Sequence, residues 1–201
     1  RYNPETGQWE KLEGLNPYGS AEALGDSISG YCNKGVWEIK MSTKAIVEIP
    51  EFNFTKIAVP VTTNITILPD GKFMVPLKEY AEWKIIIKIS STNPIDNVVI
   101  KDAFEPQLGV QDPPLYVSQG TVTYSYSPGQ AKKTTVTWTL GNNFSGDAEL
   151  ILKVYTKLNP GGQQEYTSSG TYYLNKGATL NYKLGGTIYS VTTGEMLVIV
   201  P

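Results

Sequence analysis

The sequence contains no histidine and a single cysteine, Cys32. Without histidine, the usual Ser-His-Asp and Cys-His nucleophilic sites and the histidine-based zinc sites are excluded. A lone cysteine can form neither an internal disulfide nor a thiolate metal cluster, so Cys32 is interpreted as a small, partly buried thiol or as one half of an intermolecular disulfide. No catalytic motif is present. We therefore predict a protein without enzymatic activity, bound metal or cofactor.

Charged residues are scarce as well. Asp, Glu, Lys and Arg make up 18% of the 201 residues, and the formal net charge is -2. No basic field is available to attract nucleic acid or an anionic membrane surface, and no apolar run approaches the ~20 residues of a membrane span. The first residue is Arg1, which we interpret as export followed by signal-peptide removal, so we expect an extracellular or cell-surface location.

The feature that the sequence does have is alternation. Along residues 83–90, apolar residues occupy every second position, and the positions between them include two lysines and a serine. A period of two indicates a β-strand with one face in a core, whereas a helix would scatter these residues around its circumference. Later segments repeat the pattern between Gly and Pro turns, so the predicted fold class is all-β: an antiparallel β-sandwich, Ig-like or jelly-roll-like, with an N-terminal extension.

Residues 1–35 follow a different pattern. Gly and Pro recur every few residues, and the apolar residues are scattered without a period. A segment of this length without regular structure is unusual inside a compact domain. We therefore predict an N-terminal arm over residues 1–35, lying against its own domain or a neighbouring molecule, and a β-sandwich domain over residues 36–201.

Local signals refine the predicted strands and turns. Asp70-Gly71 is the clearest hairpin turn and is suited to type I′ geometry. Residues 61–68 are predicted to form a strand. Asn93-Pro94 is predicted to turn the chain between two strands, and residues 105–114, with three prolines, are predicted as a polar loop.

Three Asn-x-Ser/Thr sequons occur, at Asn53, Asn64 and Asn143. Alternation predicts that Asn53 and Asn64 face solvent, and Asn143 falls in a predicted turn. A chain rich in Ser and Thr also shows about two sequons by chance. N-linked glycans are therefore a predicted partner on condition that the chain is exported.

Acidic residues offer two candidate calcium sites, Asp96 with Asp102 and Glu105 with Asp112, although neither has EF-hand spacing. Solvated loop carboxylates are the alternative interpretation. The thirteen tyrosines are either a sugar-binding face or strand residues that pack a ring and leave the hydroxyl in water.

A covalent cross-link is a further possibility. Lys84 and Lys88 share a face of the predicted strand, and a lysine that meets Asn175 beside a carboxylate would be able to form an isopeptide bond. That reaction requires both groups to be buried together. Ordinary exposed lysines that protect a sheet from unwanted pairing are the alternative.

The two ends of the sequence carry the candidate subunit interface. Met196–Val200 is apolar at consecutive positions, so both of its faces need cover. Either this segment is an inner strand of its own sandwich, which leaves the arm as the better donor, or it completes the sheet of another copy and builds an open filament. The candidate interface residues are Tyr2, Trp9, Leu12, Leu15, Met196, Leu197, Val198, Ile199 and Val200.

Four short motifs resemble the β-sandwich repeat domains of archaeal and bacterial surface proteins. They span about residues 80–184 and read Trp83-x-Ile85-x-Ile87, Asn97-Val98-Val99-Ile100-x-Asp102, Val136-x-Trp138-x-Leu140-Gly141 and Leu174-Asn175-x-Gly177-Ala178. A single unit with an extra N-terminal part is similar to the subunits of archaeal extracellular filaments, such as threads and bundling pili. The resemblance implies donor-strand complementation between subunits, often with glycans on the outer surface, and it supplies no catalytic residues.

From these observations we expect a structural subunit of an extracellular filament or surface assembly that polymerises with copies of itself by donor-strand complementation. The alternative is an adhesin or a carbohydrate-binding β-sandwich module of a cell-surface protein, in which Tyr and Trp side chains stack on sugars.

Overall fold

The computed structural model describes residues 52–127, 133–159 and 161–201 with their side chains, and before residue 43 it describes the backbone of four short strands. Backbone contacts divide the chain into two units, Arg1–Ile49 and Pro50–Pro201. The described residues form strands and turns and no helix, so none of them forms a helix that would cross a membrane. The fold is all-β, as predicted.

The first unit contains two antiparallel pairs. β1 (Tyr2–Asn3) pairs with β2 (Gln8–Trp9), and β3 (Ser27–Asn33) pairs with β4 (Val36–Ser42). The predicted limits of the arm and the sandwich stay a prediction.

Two of the candidate interface residues lie in these strands. Tyr2 of β1 and Trp9 of β2 are register partners of each other. Leu12 and Leu15 lie outside the described residues.

The second unit contains three groups of strands. Its described strands are β5 (Phe52–Pro60), β6 (Thr66–Ile67), β7 (Phe73–Met74), β8 (Glu82–Phe104), β9 (Leu108–Val110), β10 (Tyr116–Val117), β11 (Thr121–Tyr126), β12 (Thr134–Gly141), β13 (Phe144–Thr156), β14 (Gly170–Asn175), β15 (Ala178–Leu184), β16 (Thr187–Thr192) and β17 (Met196–Val200).

The organising element is β8, which is 23 residues long. Its first half lies between β5 and β13, and β9 and β10 pair with β13 in turn; we call this group sheet A. Its second half lies between β12 and β15, which pair further with β11 and β16; we call this group sheet B. The strand that contains the alternating residues 83–90 therefore belongs to both sheets.

The predicted turn at Asn93-Pro94 is wrong, because β8 continues through both residues. Near the middle of β8, Asn97 has a positive φ of 51°, and the register of β8 with β13 shifts between Phe144 and Gly146. Irregularities of this kind bend a strand without ending its pairing. The bend redirects β8 from sheet A into sheet B.

The last strand lies inside a smaller group, sheet C, in the order β14-β17-β7-β6. β17 is antiparallel to β14 and parallel to β7, and within it Val198 and Val200 are buried. β17 is therefore paired on both sides within its own chain, along its length with β14 and at Val198 and Ile199 with β7.

The core follows the alternation. The inward residues of the first half of β8 are at most 1% exposed, as predicted, and β12 and β13 add further buried side chains. Just over half of the buried apolar residues lie on these three strands, among them Trp83, Ile85, Ile87, Ile89, Ile100, Phe104, Val136, Trp138, Leu150, Leu152 and Val154.

Two predictions for loops and strands differ from the structure. Residues 105–114 contain β9, whose Leu108 and Val110 are buried because the strand pairs with the edge of β13. Residues 61–68, predicted as a strand, pair over Thr66–Ile67 alone.

The Asp70-Gly71 hairpin joins β6 to β7 as predicted, but the turn is not of type I′. That type needs a positive φ at both central residues, and of the two only Gly71 has one, at 81°. The Gly71 N–H donates to the Leu68 carbonyl oxygen at 2.9 Å, so Pro69 and Asp70 occupy the central positions of the turn.

Candidate functional site

Lys56 reaches the interior through the alternation of β5. It lies on the inward face between Phe54 and Ala58, which pack against the core, whereas the intervening residues are exposed. Its side chain is 0% exposed. Lysine is rarely buried to this degree without a partner, so its position indicates a specific contact.

Asp102 supplies that contact from the second half of β8. It shares a strand face with Ile100 and Phe104, and its register partners are Val136 of β12 and Ala178 of β15. All four neighbours are buried, and Asp102 itself is 1% exposed. A carboxyl group in such apolar surroundings is strongly disfavoured in its ionised form unless it is paired.

Asn175 comes from the end of β14. The register with β17 shifts between Tyr173 and Asn175, and at this irregularity two consecutive side chains, Leu174 and Asn175, are fully buried. The N–H of Gly177 donates to Oδ1 of Asn175 at 2.7 Å. The φ of Gly177 is +111°, and a Cβ there would meet the carbonyl oxygen of Thr193, so the position requires glycine.

The three side chains meet at one point. Nζ of Lys56 lies 3.2 Å from Oδ1 and 3.3 Å from Oδ2 of Asp102, and it also contacts Oδ1 of Asn175. Nδ2 of Asn175 donates to Oδ1 of Asp102 at 2.6 Å and to the carbonyl oxygen of Ala103 at 3.4 Å. One oxygen of Asp102 therefore touches both the amine and the amide nitrogen of this Lys56–Asp102–Asn175 triad.

Burial controls the protonation of the triad. Loss of hydration lowers the pKa of Lys56 and raises the pKa of Asp102, and in each case this effect outweighs the opposing influence of the charged partner. Both shifts favour an uncharged amine beside a protonated carboxyl group. The triad can thus present a nitrogen nucleophile, an acid and a carboxamide to one another, away from solvent.

The lysines predicted to meet Asn175 do not reach it. Lys84 and Lys88 are exposed on the outer face of β8, and Lys88 pairs instead with Glu149, at 3.1 Å. The structure brings Lys56 to Asn175. The alternation that turns Phe54 inward also turns Lys56 inward, so the signal that places Lys56 in the interior is present in the sequence.

Asp96 and Asp102, which were considered as calcium ligands, each have another partner. Asp102 is held by Lys56 and Asn175, and Oδ1 of Asp96 accepts a hydrogen bond from the Asn143 N–H at 2.8 Å. Among the described residues, no group of three or more Asp, Glu, His or Cys side chains is arranged to hold a metal ion.

The three sequons differ in accessibility. Asn53 and Asn143 are exposed, whereas Asn64 is half-buried. Nδ2 of Asn64, the atom that a glycan would occupy, donates to Oε2 of Glu79 at 2.8 Å and to the carbonyl oxygen of Tyr80 at 3.0 Å. Asn53 lines an open groove of about 430 Å³ together with Thr55, Lys88 and other polar residues, which we call the polar groove.

Beside the polar groove, sheet A carries apolar side chains on its outer face. Ile57, Ile86, Ile151 and Tyr116 are register partners on four adjacent strands. Ile57 is 53% exposed and Tyr116 is 49% exposed, and the two between them are half-buried. We call this set the outer apolar row.

No protein-family profile matches the sequence. A relative in Archaeoglobus fulgidus, described as an uncharacterized protein, is 30% identical over 126 residues, which are 62% of this chain and 45% of the relative. The chain thus spans about half the length of that relative.

Several solved structures match this chain at low similarity. A non-cellulosomal cohesin from Archaeoglobus fulgidus has a TM-score of 0.36 and 15% identity, covering 64% of this chain and 85% of the cohesin. A family 3b carbohydrate-binding module from Clostridium clariflavum has a TM-score of 0.34 and 10% identity, with coverages of 74% and 97%.

A GH20 exo-β-N-acetylglucosaminidase from Vibrio harveyi has a TM-score of 0.37 and 10% identity, and the similarity covers 74% of this chain and 18% of the enzyme. None of these three structures is a filament or pilus subunit. With TM-scores this low, the fold assignment depends on the strand pairing described above.

Proposed function

We propose that this chain is a structural module of an extracellular or cell-surface assembly. The observation that carries the proposal is the closed environment of the Lys56–Asp102–Asn175 triad, whose three side chains are at most 1% exposed. A catalytic site must admit its substrate, whereas a buried cluster of reactive groups acts on its own chain. The chemistry of this molecule therefore serves its own structure.

We further propose that copies of the chain polymerise, with residues 1–35 of one copy adding a strand to the next. Two observations support this direction. Met196–Val200 is already paired on both sides, which leaves the arm as the donor. On the receiving side, β5 pairs with β8 along one edge, and no described strand pairs with its other edge.

Among the strands with one unpaired edge, β5 is the best suited to receive a donor strand. It is nine residues long, and its outward face carries Ile57 and Val59, which are 53% and 40% exposed. An added strand would cover both side chains while completing the backbone ladder. β16 offers one large exposed apolar residue, Ile188, at 75%.

The assembly test uses the full chain. We expect the Ile57→Lys/Val59→Lys variant to stay monomeric in sedimentation and negative-stain imaging at concentrations where the unmodified chain forms filaments, since two lysines oppose apolar strand addition. The Ile188→Lys variant is the matched control and should assemble. A peptide of residues 1–35 should compete with assembly, and filaments formed by the double-lysine variant would refute β5 as the receiving edge.

We propose Asn53 as the glycan-bearing sequon. Asn53 and Thr55 lie on the same exposed face of β5, whereas the amide of Asn64 is occupied by two hydrogen bonds. Asn53→Gln should remove carbohydrate mass from protein isolated from its native host, and Asn64→Gln should not. Unchanged carbohydrate in the first variant would exclude Asn53.

The outer apolar row favours one alternative function, a binding module such as an adhesin or a carbohydrate-binding domain. A flat row that ends in a half-exposed tyrosine is suited to stacking on a sugar ring or on a protein partner. Tyr116→Ala should then abolish binding of the monomer on a glycan array, with Tyr173→Ala as the control. Absence of binding by the unmodified monomer would leave the structural role.

A further inference from the structure

We propose that Lys56 and Asn175 become joined by an isopeptide bond within the folded chain, with Asp102 transferring the proton. The value of such a bond to the molecule rests on the structural role proposed above, but its formation can be tested separately. Nothing in the described residues except this triad combines a buried amine, a buried carboxyl group and a buried carboxamide in mutual contact.

The reacting groups are held in place before reaction. Lys56 belongs to sheet A, Asp102 to the half of β8 in sheet B, and Asn175 to sheet C. Each is fixed by strand pairing and by buried apolar neighbours, so their meeting does not depend on a mobile loop. Because the reactants are already held at contact distance, the reaction avoids the entropy cost of an encounter. The effect is equivalent to a very high local concentration.

The protonation that burial favours is the one that the reaction needs. A lysine attacks a carbonyl carbon only as the free amine, and at neutral pH an exposed lysine is almost entirely protonated. Around Lys56, desolvation lowers the pKa, and around Asp102 it raises the pKa, so the proton that pairs them is drawn toward the carboxyl group. Transfer of this proton leaves two uncharged groups in an apolar site.

The carboxamide of Asn175 is polarised from its other side. The Gly177 N–H donates to Oδ1 at 2.7 Å, in the direction from which a developing negative charge on that oxygen would be stabilised. The Nδ2 atom donates to Oδ1 of Asp102 at 2.6 Å. The atom that must receive a proton in order to leave is therefore already beside the acid.

The step balances without any co-reactant. Nζ of Lys56 attacks Cγ of Asn175, and a C–N bond forms. The amine gives up a proton to Asp102, Asp102 returns a proton to Nδ2, and the Cγ–Nδ2 bond breaks. The products are a secondary amide between the two side chains and one molecule of ammonia, and Asp102 ends in the protonation state in which it began.

The bond also resolves an energetic conflict. A buried lysine–carboxylate pair loses hydration that its mutual attraction only partly restores, so such a pair is a weak source of stability. An amide has no charge to desolvate, and the remaining Asp102 is favoured as the neutral acid in its apolar surroundings. The covalent state therefore suits this site better than the ion pair from which it forms.

The position of the bond gives it leverage. Lys56 and Asn175 are 119 residues apart in the sequence, so the bond closes a long loop that includes β8, β12 and β13. A cross-link that closes a long loop removes many conformations from the unfolded chain. It also fastens β5, the proposed receiving strand, to sheet C.

Intact-mass measurement of the full, unfolded chain tests the bond directly. We expect a mass lower than that of the sequence by one ammonia molecule, and a protease digest in which the peptides carrying Lys56 and Asn175 are linked. Trypsin should fail to cleave after Lys56 and should cleave after Lys88. The full sequence mass, or an ammonia loss confined to a cyclised Asn175 without Lys56, would overturn the proposal.

Variants assign the roles. Asp102→Asn preserves the size of the side chain but removes its acid, and we expect it to show the full mass; a linked Asp102→Asn chain would refute proton transfer by Asp102. Lys88→Met is the matched control and should stay linked. If the unmodified chain forms filaments but is not linked, the bond is refuted and the polymer is not. If the unmodified chain is linked but stays monomeric at every concentration, only the polymer is refuted.

Discussion

Two lysine–carboxylate pairs of the same sandwich have similar separations but differ in their exposure to water. Lys56 and Asp102 are 3.2 Å apart, with side chains 0% and 1% exposed. Lys88 and Glu149 are 3.1 Å apart, with side chains 60% and 32% exposed. The two distances are nearly the same, so burial and the contact of Lys56 with Asn175 distinguish the reactive centre from the solvated surface contact.

The largest difference should appear when each pair loses its acid. Asp102→Ala leaves a buried amine without its carboxyl partner and prevents the cross-link, so we expect the free energy of unfolding to fall by more than ~3 kcal/mol. Glu149→Ala should cost less than ~1 kcal/mol, because Lys88 remains hydrated. Denaturant titration measures both, and equal losses would remove the distinction between the pairs.

The next effect is the pH dependence expected of Lys56→Met. Burial raises the pKa of Asp102, and in this variant no cation opposes the shift. A carboxyl group whose pKa is higher in the folded chain than in the unfolded chain stabilises the fold fully below the unfolded pKa, about 4, and this stability is lost as the pH rises toward the folded pKa, by up to about 1.4 kcal/mol per pH unit.

Stability of Lys56→Met should therefore decrease as the pH rises above about 4, measured as the denaturation midpoint across buffers. The double variant Lys56→Met/Asp102→Asn has no titrating group at the site, and its profile should lack this decrease. A flat profile for the single variant would mean that Asp102 is not held in its neutral form.

A smaller effect is expected at Gly177. A methyl group there would meet the Thr193 carbonyl oxygen, and the φ of +111° disfavours any L residue. Gly177→Ala should cost about 1–3 kcal/mol and slow cross-linking by displacing the N–H that donates to Asn175. Gly186→Ala, at a φ of +91° with open space around it, tests conformational strain alone and should leave the rate of cross-linking unchanged.

The smallest effect concerns Lys88. Its replacement by Met removes an exposed ion pair, and we expect a change within about 0.5 kcal/mol that shrinks further in high salt. Unfolding measured at low and high ionic strength checks this expectation. A large, salt-independent loss would show that the outer pair behaves like the inner one.

Most of the fold could be predicted from local patterns. The predicted segment Met196–Val200 has the bounds of β17, because Gly194 and Pro201 limit a short run of apolar residues. β8 could not be predicted as one strand, since its continuation through Asn93-Pro94 depends on pairing with β13. β9 was missed for the same reason, because it pairs with β13, a strand that is distant in the sequence.

The candidate site was half visible in the sequence. Asp102 and Asn175 both lie in motifs that the sequence singled out, and Asn175 was named as an isopeptide partner. Lys56 was missed because Lys84 and Lys88 lie in the most regular strand and drew attention away from β5. Alternation tells which face a lysine occupies but not which carboxamide it meets, because that contact joins three sheets whose arrangement no local pattern encodes.

The continuity of β8 has a consequence for how the molecule comes apart. Sheets A and B share this one strand, so neither can melt while the other keeps its full ladder. The second unit should consequently lose its structure in a single all-or-none transition, with the amide hydrogens near Ile87 and Ile100 among the last to exchange with solvent.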